Sequence, residues 1–188
     1  MRRMVVTLFW LETLLAVAGL ILLAVRRYTE RLEWHELLQP TWYDTVLGVG
    51  ATVVMLAFAF AGSAMAERSP AWAFLRRWML QVTPLLASIR PRDALALSLV
   101  AGFGEEMLFR GVIQPIATIW VASALFAVVH VLRWDSDGLK VTAFYLPFGF
   151  LLGSLYEFTG NLWGCCVAHV LYDLTALFWM RRQQQAWR

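Results

Sequence analysis

The sequence predicts an all-α, polytopic membrane protein of about six transmembrane helices with one interfacial amphipathic helix. Three observations carry this prediction. The 188 residues are 60% apolar and 15% charged, against about 45–50% and about 25% in average soluble domains. Mean hydropathy is +0.61, and 12 Phe, 10 Trp and 5 Tyr crowd one short chain. Apolar runs also recur at the length of about 17–25 residues that a helix needs to cross about 30 Å of hydrocarbon. Disorder, collagen and coiled coil are excluded by the same composition.

The first run, Met4–Val25, is flanked by Arg2/Arg3 and Arg26/Arg27. It has a charged start and an apolar core but no small-residue cleavage site before Arg26, so it reads as an anchor rather than a signal peptide. Residues Tyr28–Thr41 follow as a short amphipathic loop segment ending at Pro40, and Val46–Ala66 is the second span. Between Pro70 and Arg92 aromatic and aliphatic residues interleave with Arg76, Arg77 and Gln81, the pattern of a helix lying in the membrane interface. The third span, about Ala94–Gln114, contains Gly102, Gly104, two glutamates and an arginine. The fourth is about Ile116–Leu132, the fifth Val141–Phe158 and the sixth Leu162–Met180. The chain reads as one integral-membrane domain over 1–188, with the chemistry-bearing helices at 94–180.

Loop cations set the orientation, because cytoplasmic loops retain Lys and Arg. Twelve of the 16, from Arg2 to Arg188, fall on the side of the N-terminus; only Arg26, Arg27 and Arg31 fall opposite, and Arg110 lies inside a span. Both termini are expected in the cytoplasm, in keeping with an even number of crossings. The net charge of +3 is too small for a nucleic-acid partner. Cys165 and Cys166 are adjacent in an apolar run, which offers neither a disulfide framework nor a C-x-x-C pair; they read as small packing residues. His35 falls in a charged loop and reads as solvated.

Ionisable side chains at mid-span cost about 2.5–3.5 kcal/mol each on insertion scales, so a cluster of them is a functional-site hypothesis by default. The third span carries Glu105, Glu106 and Arg110, the fourth Phe126 and His130, and the sixth His169 and Asp173. Glu106 and Arg110, four apart, share a helical face and can pair. Glu105 lies about 100° around the helix from Glu106 and points elsewhere. His169 and Asp173 are again four apart, as are Phe126 and His130. Taken singly, a structural ion pair, a packed aromatic or an interhelical hydrogen bond would explain each. The set together points to a site, with Gly102, Gly104 and Gly111 permitting close helix approach beside it.

E-E-x-x-x-R at Glu105, Glu106 and Arg110, F-x-x-x-H at Phe126 and His130, and H-x-x-x-D at His169 and Asp173 together resemble the CPBP family. Its members are intramembrane proteases that include the CAAX prenyl endopeptidases and the bacterial Abi or bacteriocin-processing proteins. The resemblance covers Glu105–Asp173 and implies an endopeptidase acting on a membrane-associated protein or peptide, in an integral protein of the bacterial inner membrane. It implies that Glu105, helped by His130, binds and activates the water, and that His169 donates to the oxyanion. Glu106 with Arg110 and Phe126 then support. The last motif ends in Asp173 where CAAX-type members have Asn. An ionised carboxylate accepts but cannot donate, so Asp173 is expected to orient His169 as an acceptor.

A metal-free reaction is expected, with zinc on Glu105, His130 and His169 as the other reading of the same residues. Two further functional classes use the same side chains. His130 and His169 could ligate a haem, or Glu and His could serve a proton relay. A non-catalytic immunity or scaffold relative is a fourth reading.

Overall fold

The computed structural model describes residues 2–86, 89–131 and 133–186, and among these no strand occurs. Nine α-helices follow one another: α1 Arg2–Glu30, α2 Trp34–Leu37, α3 Trp42–Arg68, α4 Ala73–Leu86, α5 Pro91–Leu108, α6 Gln114–Ile116, α7 Ile119–Val129, α8 Ser136–Thr159 and α9 Leu162–Ala186. A 3-10 turn at Pro70–Trp72 precedes α4, and a π turn at Phe109–Ile113 joins α5 to α6. Leu132, the expected end of the fourth span, and Arg188, one of the counted cations, lie outside the described residues.

Four segments are long and apolar enough to cross a membrane: Val5–Glu30, Trp34–Arg68, Ser136–Thr159 and Leu162–Arg182. The expected third span is helical from Pro91 through the π turn to Ile116, but its buried charges keep it from the apolar class. The expected fourth span is shorter than its apolar run, because α7 stops at Val129 after 11 residues. The cause lies in His130, whose Nδ1 sits 2.7 Å from the Phe126 carbonyl. In a continuing helix that carbonyl would accept from the His130 backbone N–H, so the side chain takes over the backbone bond and the helix ends. The expected interfacial segment forms α4, a 14-residue helix that buries Phe74, Leu75 and Met79 and exposes Arg76 and Arg77.

Local chemistry fixes the other ends. Thr41 caps α3 by accepting from the Asp44 N–H, and Asp135 caps α8 by accepting from the N–H groups of Asp137 and Gly138. Pro91 opens α5, where its missing N–H costs nothing. Gly160, at φ +65°, closes α8 in the left-handed conformation that glycine alone adopts without strain.

The helices then pack through small residues. A Cβ on Gly104 would fall 2.6 Å from the Ala16 Cβ, and one on Gly102 would fall 2.6 Å from Val170 Cγ2, so α5 lies close against α1 on one side and α9 on the other. Gly48 brings α3 equally close to α9. Ion pairs and polar ties gather at the two ends. At one, Arg77 Nη2 donates to Asp137 Oδ1 at 2.8 Å and Arg181 reaches the Ile89 carbonyl at 3.3 Å. The hydrogen bonds from Arg77 to Asp137 raise the guanidinium pKa further above its ordinary value, so this contact stays charged across the physiological range. At the other end the Asn161 amide donates to the Gln39 carbonyl and to Asp44 Oδ2, each at 2.7 Å. Between the ends, Trp10, Leu14, Val17 and Ile21 of α1 and Val46 and Val53 of α3 are exposed, an apolar belt suited to lipid. Together these features make the chain an integral membrane protein. Cys165 and Cys166 are both fully buried, consistent with packing, and His35 is exposed.

Candidate active site

The site forms where α5 gives way to the π turn. Regular α geometry would place Glu105, Glu106 and Arg110 on successive rows of one cylinder. In the wider turn at Phe109–Ile113 the Gln114 N–H bonds to the Phe109 carbonyl five residues back, and at its start the Phe109 N–H is shared between the carbonyls of Glu105 and Glu106; such turns are frequent at functional sites. The Gly111 carbonyl has no helical donor four residues on, because Pro115 lacks an N–H, and it is taken by Arg26 Nη1 of α1 at 2.7 Å.

Arg110 is fully buried. Its Nη1 donates to Glu106 Oε1 at 2.9 Å and its Nη2 to the Gly149 carbonyl of α8 at 3.0 Å. Its guanidinium lies 4.5 Å from the centroid of the Phe126 ring on α7, within cation–π range. One side chain therefore ties the π turn to α5, α7 and α8. Glu106 Oε1 also meets His169 Nδ1 at 2.7 Å. A carboxylate paired with Arg110 accepts, so Nδ1 carries the hydrogen and the imidazole is fixed in one orientation.

Asp173 was expected to orient His169 as an acceptor. Its Oδ2 lies 3.6 Å from His169 Nε2, within ion-pair range and longer than a hydrogen bond, while the ring makes its hydrogen bond to Glu106.

His130 stands at the end of α7. The Phe126 carbonyl can only accept, so His130 Nδ1 is the donor there and Nε2 keeps its lone pair while the ring is neutral. The ring stacks on Tyr145 of α8 at 4.6 Å between centroids, with planes 20° apart, and on Phe126 at 4.6 Å. Phe126 also meets His169 at 5.7 Å. The structure thus sets His130 and His169 around one aromatic ring.

Glu105 is buried, and its Oε2 takes no protein hydrogen bond among the described residues. It interacts electrostatically with His169, Asp173, Glu106 and Glu12. His130 interacts with His169, Arg110 and Glu106. Glu105 and His130 therefore border the same Glu106–His169 pair without a direct bond to each other.

Three contributors were missed by the sequence reading. The Gly149 carbonyl carries no side-chain signature, and Tyr145 is one aromatic among many in an apolar helix. Glu12 had a readable signal, as a lone acid inside the first apolar run. Among the described residues no three His, Cys, Asp or Glu side chains are grouped to hold a metal ion.

Comparison with known proteins agrees with the motifs. Residues 87–175, a little under half of the chain, match the family model described as type II CAAX prenyl endopeptidase Rce1-like. The resemblance read from Glu105 to Asp173 is found again over this segment. An 80-residue stretch is 46% identical to "Uncharacterized protein YpbD" of Bacillus subtilis (strain 168), covering 41% of this chain and 40% of that protein. The match thus spans well under half the length of that curated relative. No solved structure matches the chain.

Proposed function

We propose that the chain is an intramembrane endopeptidase that hydrolyses a peptide bond of a membrane-associated protein or peptide, without metal, through Glu105 and His130. The observation that carries this is the division of labour between the two adjacent glutamates. Glu106 spends Oε1 on Arg110 and His169 and has only Oε2 without a partner, whereas Glu105 makes no ion pair among the described residues, and its Oε2, buried and without a hydrogen-bond partner there, is available for a reacting water. Glu105, with the His130 Nε2 lone pair opposite, takes a proton from that water. The oxygen adds to the scissile carbonyl, and His169, held through Nδ1–H by Glu106 and protonated on both ring nitrogens, donates its Nε2–H to the oxyanion. The C–N bond then breaks and the proton passes to the leaving amine. The haem reading draws less support, because the two histidines stand around the Phe126 ring rather than across an open slot.

A quenched fluorogenic peptide ending in farnesylated Cys-aliphatic-aliphatic-X, supplied to the protein in proteoliposomes, tests the reading. Cleavage by the wild type and none by Glu105→Gln is expected; equal cleavage by both, or none by either, would overturn it. Bacteriocin leaders and C-terminal sorting tails are the other substrate classes that suit such a site.

The same reading places six crossings in a bacterial inner membrane, with the Pro91–Ile116 segment crossing as well, α7, too short at 11 residues to cross alone, crossing together with the chain that flanks it, and both termini cytoplasmic. With Cys165 and Cys166 replaced, a thiol reagent confined to the outside should label Thr159→Cys and leave Ser136→Cys unlabelled. The reverse pattern contradicts this topology.

Asp173 separates charge from hydrogen bonding. Since Glu106 makes the hydrogen bond to His169, Asp173→Asn should lose only what the carboxylate charge supplies, about tenfold or more, and keep more activity than Asp173→Ala because its amide is a donor beside Nε2. Equal losses for both variants would show that the carboxylate itself is required.

A further inference from the structure

The helix α1 lies upstream of residues 87–175 and carries none of the three motifs, yet it forms one wall of the site. Val5, Leu8 and Phe9 pack with Ala94, Leu97 and Leu177. Ala16 then abuts Gly104, and Leu23 abuts Gly111. These contacts advance together along both helices, so α1 and α5 run parallel. Along α1 they fall at residues 5, 8, 9, 16 and 23, which lie on one face of a helix of 3.6 residues per turn.

Glu12 stands on that face, midway between the Leu8/Phe9 contacts and Ala16. Across the seam, Gly102 meets Val170 of α9 and Leu97 meets Leu177, and Asp173 lies between those two levels. The packing therefore sets Glu12 and Asp173 at one depth, below His169. Electrostatics agree, since Glu12 interacts with Asp173 and His169 and Glu105 interacts with Glu12. An acid on a helix as exposed and apolar as α1 is costly in a membrane and marks function by default.

We infer that Glu12 is a positioning residue for the proposed reaction, its carboxylate acting with Asp173 on His169 from the α1 side of the site. The need for it follows from the sharing at Glu106, where a single oxygen, Oε1, serves both Arg110 and His169. The Arg110 charge offsets part of that of Glu106, so the rest of the negative field at His169 comes from Asp173, at 3.6 Å from Nε2, from Glu105, and from Glu12 as the contribution of α1. That field stabilises positive charge on the imidazole as it donates to an oxyanion, and Glu12 exerts it without touching substrate.

This inference rests on the peptidase reading, and the test keeps the two apart. Wild type, Glu105→Gln, Glu12→Gln and Glu12→Asp are compared on the farnesylated fluorogenic peptide in proteoliposomes, with melting temperature measured alongside. If the wild type cleaves and Glu105→Gln does not, the peptidase reading stands. Glu12→Gln should then lower kcat roughly tenfold with KM and melting temperature unchanged, and Glu12→Asp should recover most of the loss. Unchanged kcat in Glu12→Gln would overturn the inference and leave the peptidase reading intact. So would a fall in kcat and melting temperature shared by Gln and Asp, which marks a structural residue. No cleavage by the wild type would overturn both.

Discussion

Glu105→Gln lowers cleavage by about 10²–10⁴-fold, the range over which a positioned general base accelerates proton transfer, while the protein stays folded in the membrane. Gln matches Glu in shape, and Glu105 Oε2 makes no protein hydrogen bond among the described residues, so no structural contact is lost. The amide cannot take the proton of the attacking water. His130→Ala is expected to fall in the same direction, but it also ends the bond to the Phe126 carbonyl and the stack on Tyr145. Glu105→Gln is therefore the cleaner variant. Rates in proteoliposomes, set beside melting temperature and membrane abundance, check the expectation. Biological function surviving Glu105→Ala would favour an immunity or scaffold role over catalysis.

Arg110→Ala has the opposite signature, with loss of the folded protein as well as of activity. It leaves the Glu106 carboxylate buried beside His169 without its cation and frees the Gly149 carbonyl. Removing one partner of a buried pair typically costs about 3–5 kcal/mol, a large share of the roughly 5–15 kcal/mol by which proteins are stable. Arg110→Lys should recover part of the stability only, because an ammonium is a compact charge and cannot keep the two-armed contact to Glu106 and Gly149 together with the stack on Phe126. Thermal unfolding in detergent reads the order wild type, Lys, Ala. A melting temperature for Arg110→Ala equal to the wild type would show that the pair is not structural.

The long apolar helices were legible because length and composition decide them: runs such as Val46–Ala66 and Leu162–Met180 appear in α3 and α9 with a few added residues. The end of α7 was not legible. Val131 continues the apolar run, while the stop depends on a ring nitrogen of His130 reaching a carbonyl four residues back. Within the site, the i,i+4 spacing gave the Glu106–Arg110 pair correctly. The same spacing suggested that Asp173 orients His169; Asp173 stands at ion-pair distance from Nε2, but the ring makes its hydrogen bond to Glu106. Spacing within α9 cannot register a competitor on α5, and Glu106 holds the other ring nitrogen at 2.7 Å. The π turn that aims these side chains has no composition signature. Glu12 escaped notice because its meaning lies in the register of α1 against α5 and α9.

The central claim, that Glu105 serves peptide hydrolysis in the membrane, is tested most directly without choosing a substrate. Protein termini in membranes of the native cell, carrying either the wild-type chain or Glu105→Gln at equal abundance, are compared by quantitative mass spectrometry. A defined set of new termini on membrane-associated proteins or peptides, present with the wild type and absent with Glu105→Gln, is the predicted result. Indistinguishable termini in the two membranes would contradict it.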